Sequence, residues 1–200
     1  PYDQTIRYQE GKRFVSGWEE IPVAEEEVNV LWKDQGVYLI TGGAGGLGLL
    51  FAEEIAKKAK DVTLILTGRS ELSEEKARQI NTLRSLGART EYKAVDVNDK
   101  KAVVKAVQSI RKEFGELNGV IHSAGIIRDN FLLNKTEEEF KEVLDPKVLG
   151  TLNLDAATRD MELDFFILFS SIAGGLGNVG QADYATANAF MNAYATYRNQ

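Results

Sequence analysis

Two groups of residues in the sequence have the types and spacing for chemistry. In the first, Ser170-Ser171-Ile172-Ala173-Gly174 closes an apolar run, and thirteen residues after Ser171 stands Tyr184, in Tyr-Ala-Thr-Ala-Asn. Asn188 is four residues beyond Tyr184, so on a helix the two share one face, a turn apart. Hydroxyls of this kind donate hydrogen bonds, and a phenol of pKa about 10 can release its proton where a cation steadies the anion. Taken singly, Tyr184 is also readable as a helix-face aromatic and Ser171 as a strand-end cap. In the second group, Thr41-Gly42-Gly43-Ala44-Gly45-Gly46-Leu47-Gly48 follows an apolar run and leads into a helical pattern, with G-x-G-x-x-G spacing at Gly43, Gly45 and Gly48. Glycines there permit a tight turn and close backbone approach, and the free N–H groups at the helix start suit a pyrophosphate.

The elements that must position these residues are legible from hydrophobic periodicity. VYLIT, VTLILTG, TEYKAVDV, LNGVIHSAG and FFILFSS are five short apolar runs that fit buried strands. Helical periods lie between them: Leu47, Leu50, Phe51 and Ile55 share one face, and Val103, Val107, Ile110 and Phe114 share another. Such alternation specifies an α/β fold, a Rossmann-like doubly wound parallel sheet of strand order 3-2-1-4-5. A further strand and a substrate lid are expected past Gln200. Residues 1–36 differ in texture. IRYQEGKRFVSGW contains two β-prone runs that could turn a hairpin at Glu10-Gly11, and AEEEVNVLWKDQG follows as a charged connector. The expected division is a linker and remnant of a structural subdomain over 1–36, and a nucleotide-binding catalytic domain over 37–200 that is truncated at its C-terminus. A start at Pro1 and a stop inside an amphipathic segment read as an excerpt from a longer polypeptide.

Composition narrows the function. With 24 Lys and Arg against 30 Asp and Glu, the formal charge is −6, which offers no footprint for nucleic acid. No apolar run reaches the roughly 20 residues of a membrane span, so the expected address is cytoplasmic. Without cysteine, and with His122 as the single histidine, neither a thiolate nor a histidine cluster is available for a metal. Where the second strand ends, an acidic residue would hold the ribose diol of NAD, but the sequence has Thr67-Gly68-Arg69-Ser70. Arg69 and Ser70 suit a 2′-phosphate, so NADPH is the expected cofactor, although Arg69 is also readable as a solvated surface charge. Asp96 and Val97 end the third strand; Asp96 either borders an adenine or caps the next helix. His122 reads as a packed, hydrogen-bonded residue, and the small Ser123-Ala124-Gly125 after it lets the backbone pass close to a cofactor.

TGGAGGLG, TGRS, HSAG, SSIAG and YATAN resemble the short-chain dehydrogenase/reductase superfamily, and more narrowly the ketoreductase domains of modular polyketide synthases, over about Val37 to Gln200. Members of the wider superfamily carry Tyr-x-x-x-Lys, whereas Asn188 stands in the lysine position here. In the synthase ketoreductases lysine and asparagine exchange places, with the lysine in a motif similar to Asp145-Pro146-Lys147-Val148-x-Gly150. The separation of 24 residues between Lys147 and Ser171 also matches. The resemblance therefore implies a set of Lys147, Ser171, Tyr184 and Asn188. Tyr184 would be the proton donor, Lys147 the cation beside it, Ser171 the hydrogen-bond donor to the substrate carbonyl, and Asn188 the residue orienting lysine or a relay water. It further implies an acyl substrate on the phosphopantetheine arm of an acyl carrier protein, and neighbouring synthase domains. Ile127-Arg128-Asp129 aligns with the Leu-Asp-Asp of the group forming D-alcohols (B-type) and keeps its last aspartate. Leu176 stands eight residues before Tyr184, where the opposite group carries tryptophan. Asp129 is thus the expected stereocontrol residue. The competing readings are a free-standing oxoacyl carrier protein reductase and a non-reducing structural docking module.

Overall fold

The computed structural model describes residues 6–20 and 31–200. The chain forms two units, Pro1–Val30 and Leu31–Gln200. In the smaller one, β1 (Ile6–Gln9) and β2 (Lys12–Val15) make an antiparallel hairpin with Ile6 opposite Val15. Its turn is Glu10-Gly11, with φ of 51° and 73°. A two-residue turn whose twist matches the strands needs both central residues in this left-handed region. The hairpin expected there is present, whereas residues 24–30 of the connector expected after it lie outside the described residues.

In the larger unit, β3 (Val37–Thr41), β4 (Thr63–Gly68), β5 (Arg89–Ala94), β6 (Gly119–His122) and β7 (Phe165–Leu168) form one parallel sheet. The order β5-β4-β3-β6-β7 is 3-2-1-4-5 counted from Val37, as the alternation implied. The inner strands β3, β4 and β6 are mainly apolar because both faces are covered, whereas the edge strand β5 alternates polar and apolar residues. Tyr38, Ile40, Leu64 and Leu66 face α1 (Gly46–Lys58) and α2 (Glu74–Ser85). Val37, Leu39, Ile65 and Val120 face α3 (Lys100–Phe114) and α4 (Glu137–Thr158). Each fully buried Leu or Ile of these rows contributes about 1.5–3 kcal/mol. Trp32 packs edge-on against Tyr38 and Phe165, with ring centroids 6.1 and 5.3 Å away, and so starts this unit before Val37.

The α3 face expected from its period is the one that packs on the sheet: Val103, Val107 and Ile110 are buried and Phe114 is half-buried. The α1 face differs. Leu47 and Leu50 are 56% and 60% exposed, while Gly48, Ala52, Ile55 and Ala56 face the sheet. Close approach selects small residues there, since a Cβ on Gly48 would come within 2.5 Å of the Gly42 carbonyl oxygen. The chain ends in the short α5 (Ala173–Leu176) and in α6 (Ala182–Arg198), which packs on α4. Among the described strands β7 pairs with β6 alone. No helix among the described residues is long and apolar enough to cross a membrane.

Candidate active site

Strand order reverses between β3 and β6, and an open doubly wound sheet leaves a crevice at the carboxyl ends of its strands there. A cleft of about 280 Å³ occupies that place. Gly42 and Gly45 form one side; Ser123, Ala124 and Gly125 form another. Gly42 has φ +64°, and a Cβ on it would stand 2.9 Å from the Ala124 backbone, so this position needs glycine on both counts. The N-terminus of α1 has no side-chain cap and no acidic residue in its first turn, which leaves its N–H groups to an anion in the cleft. The loop residues Thr41, Gly43, Gly46, Leu47 and Gly48 named from the sequence do not line the cleft. Gly43 lies against Ile40 and Leu66 and Gly48 against the turn, while a Cβ on Gly46 would meet open space and the Leu47 side chain is exposed. Thr41 is buried, with its hydroxyl on His122 rather than in the cleft.

Arg69 and Ser70 line the far end of the cleft. Their turn is braced by Tyr92, whose hydroxyl donates to the Ser70 carbonyl at 2.6 Å and passes where a Cβ on Gly68 would stand. Lys76, in the first turn of α2, lines the same end. Neither Tyr92 nor Lys76 was singled out from the sequence; the only available signal was a cation in a first turn, where the helix dipole disfavours it. Asp96 and Val97 border the cleft. Asp96 accepts the Asn98 N–H at 2.9 Å, whereas the cap of α3 is Asp99, which accepts from Lys101 and Ala102. Of the two roles open to Asp96, capping therefore belongs to its neighbour.

His122 is fully buried at the end of β6, with Nε2 2.9 Å from the Pro146 carbonyl and Nδ1 2.6 Å from the Thr41 hydroxyl. A carbonyl only accepts, so Nε2 carries the proton and Nδ1 accepts from Thr41. Burial, with Lys147 nearby, lowers its pKa to about 4, so it is neutral at pH 7. Gly150 makes this contact possible, because a Cβ there would press on Val97 and His122 at 3.0–3.2 Å. The Pro-Lys-Val-x-Gly stretch thereby brings α4 onto the strand ends with Lys147 facing inward.

Lys147 is 4% exposed. Its Nζ donates to the Phe169 carbonyl at 2.7 Å and lies 5.5 Å from the centroid of the Tyr184 ring. Its stem runs against Gly125, where a Cβ would stand 3.1 Å from Cε. Burial lowers its pKa from 10.5 to about 8. Asn188, fully buried, donates from Nδ2 to the Tyr184 carbonyl at 2.7 Å, and its Oδ1 has no partner among the described residues. Ser171 Oγ accepts the Ala173 N–H at 3.2 Å, which leaves its own proton to donate. Ser170, not Ser171, ties this segment to α6, donating to the Asn188 carbonyl at 3.1 Å. Gly174 rests directly on α6, where a Cβ would lie 2.8 Å from the backbone of Asn188 and Ala189. The four residues named from the sequence are thus brought to one end of the sheet by α4, the end of β7 and α6. Asp129, on the exposed loop after β6, accepts from Gln181 Nε2 at 3.0 Å on both carboxylate oxygens.

The family model described as the KR domain matches residues 36–200. The chain belongs to the KR domain family. It is 54% identical over 197 residues to polyketide synthase PksN and 53% identical over 199 residues to polyketide synthase PksL, both of Bacillus subtilis (strain 168). These alignments cover 98% and 100% of this chain but only 4% of either synthase. Among solved structures it is similar to a ketoreductase domain from the bacillaene assembly line, with a TM-score of 0.94 and 53% identity over 98% of this chain and 46% of that one. An N-terminal ketoreductase from the macrolactin assembly line gives a TM-score of 0.82 at 45% identity, over 94% of this chain and 37% of that one. The resemblance carried by TGGAGGLG, TGRS, HSAG, SSIAG and YATAN is therefore borne out. In this KR domain the lysine comes from α4 and the asparagine from the tyrosine's own helix.

Proposed function

We propose that the chain is the NADPH-dependent catalytic part of a ketoreductase in polyketide biosynthesis. Its substrate is a β-ketoacyl thioester on the phosphopantetheine arm of an acyl carrier protein, reduced to the β-hydroxyacyl product. The observation that carries this reading is the buried Lys147 ammonium beside the Tyr184 ring, with the Ser171 proton uncommitted just after β7. The cleft fits the dinucleotide: a glycine cradle that a Cβ would fill, an uncapped helix start for the pyrophosphate, and Arg69 with Ser70 at the 2′-phosphate end. Asp96 and Val97 border the adenine, and Ser123, Ala124 and Gly125 the nicotinamide half. Bound NADPH supplies the hydride for the ketone carbon. Ser171 donates to the carbonyl oxygen as negative charge develops on it. Tyr184 delivers its proton to that oxygen, and Lys147 steadies the phenolate left behind. Asn188 Oδ1, a buried acceptor without a partner, orients a water or the ammonium that returns the proton. Asp129 on the loop and Leu176 in place of tryptophan support a D (B-type) product. Residues 1–36 are the remnant of an adjoining structural subdomain, and the protein works in the cytoplasm beside other synthase domains.

The test is NADPH consumption with a β-ketoacyl pantetheine thioester, with the alcohol trapped for its configuration. Tyr184→Phe should lose about 10²–10⁴-fold in kcat, the usual range for a positioned proton donor, with NADPH binding unchanged. Full turnover by Tyr184→Phe, or no turnover by the unaltered protein despite tight NADPH binding, would overturn the reading.

A further inference from the structure

The loop after β6 is not held by apolar packing. Phe131, Leu132 and Leu133 are all exposed, so what fixes the loop is polar. Two residues after Leu133, Lys135 turns its side chain inward and pairs with Asp183 at 2.7 Å, each side chain 1% exposed. The contact is one of charge: that carboxylate oxygen has no aligned hydrogen bond among the described residues, so the ammonium is what compensates it. The same ammonium donates to the Arg128 carbonyl, the peptide oxygen just before Asp129. Asp183 sits in the first turn of α6 and with its other oxygen accepts the backbone N–H of Tyr184 at 2.8 Å. Two further contacts run in parallel: Asn130 N–H to the Gly180 carbonyl at 2.9 Å, and Gln181 to Asp129.

We propose that the Lys135–Asp183 ion pair is a latch that seats the Asp129 loop on the tyrosine helix and so decides which face of the ketone is presented for reduction. The proposal rests on the ketoreductase reading and deepens it. Both residues are positioning residues: Lys135 acts through the Arg128 peptide on Asp129, and Asp183 through the start of α6 on Tyr184. Stability alone does not account for the pair, because a buried ion pair is often matched or exceeded by apolar residues of the same volume. What it supplies is a fixed distance between two segments that lie 48 residues apart in sequence and are not joined by a core. With the loop lifted off the start of α6, Asp129 no longer keeps its place relative to Tyr184, and the ketone is admitted in either orientation.

The experiment uses the full-length protein with a β-ketoacyl pantetheine thioester, comparing Lys135→Met, Asp183→Asn and the charge-free double variant Lys135→Met with Asp183→Leu. The readouts are the ratio of the two alcohol configurations and the separate KM values for thioester and NADPH. In each folded variant the ratio should fall at least tenfold and the thioester KM should rise, with the NADPH KM unchanged. A merely structural role would lower the active fraction and leave ratio and KM alone. Should either single variant fail to fold, the double variant, which buries no lone charge, still reads the ratio. An unchanged ratio and KM in folded variants, beside an active unaltered protein, overturns the latch alone. Absence of any thioester reduction by the unaltered protein overturns the ketoreductase reading, and the latch falls with it.

Discussion

Replacing Lys147 by methionine removes an amine that the fold holds away from water, and the cost of that burial can be read by titration. Burial lowers its pKa to about 8 from an ordinary 10.5. Below about pH 8 the group is protonated in both folded and unfolded chains, and the folded state carries the full cost of the buried charge. Between the two values the unfolded chain binds more protons, so stability rises with pH across that interval and levels off above it. The whole interval is worth roughly 3 kcal/mol, most of it gained by pH 10. Lys147→Met lacks this titration. Whatever methionine does to packing, or to the Phe169 carbonyl it leaves without its donor, it does at every pH. The unaltered protein should therefore gain about 2–3 kcal/mol on the variant between pH 7 and pH 10. Urea unfolding of both proteins without cofactor, extrapolated linearly at each pH, measures the difference. Stabilities that run parallel to within about 0.5 kcal/mol would refute the account of Lys147 as a desolvated ammonium.

Catalysis should show the same titration with the opposite consequence: kcat/KM for ketone reduction declines as pH rises through about 8, because the ammonium beside Tyr184 is then lost. A flat profile to pH 10 would separate Lys147 from the reaction. Gly150→Ala forces a Cβ against His122 and Val97 and should lower stability by about 1–3 kcal/mol, seen as a reduced Tm. Gly42→Ala should abolish dinucleotide binding, measured by calorimetry, since it meets the Ala124 backbone at 2.9 Å. Arg69→Ala should raise the KM for NADPH by roughly 10-fold or more while leaving that for NADH nearly unchanged, because only the former carries the 2′-phosphate. Equal losses for both would assign Arg69 to another part of the cofactor.

Much of the fold was legible because burial on both faces writes β3, β4 and β6 as unbroken apolar runs, and because Val103, Val107 and Ile110 repeat at the period of one covered helix. The α1 face was misjudged from the same signal. Large apolar residues mark a buried stripe only where the helix can stand off from its sheet, and at the phosphate turn Gly48 and Ala52 take the inner side while Leu47 and Leu50 turn outward. Ser171, Tyr184 and Asn188 were visible because their spacing is local. Lys147 came from resemblance, since nothing in its neighbourhood along the chain marks it as buried. Asp96 and Asp99 both precede α3 at positions compatible with capping, and three residues of spacing cannot separate them without the turn itself. Tyr92, Lys76 and the Lys135–Asp183 pair were not legible at all, because each gains its meaning from a partner that only the folded chain brings near.

The seat of Gly174 on α6 bears on how such a site can change. Because Gly174, three residues after Ser171, meets the tyrosine helix backbone to backbone, the spacing of the two hydroxyl-bearing residues is largely a property of the main chain. Substitutions in the surrounding side chains can alter what enters without retuning that spacing. The pair behaves as a fixed jig, and the loop from Ile127 to Lys135 as the interchangeable fitting placed against it. Grafting that loop from another ketoreductase, together with residues 180–183 that receive it, is accordingly the economical way to redirect selectivity while keeping the rate.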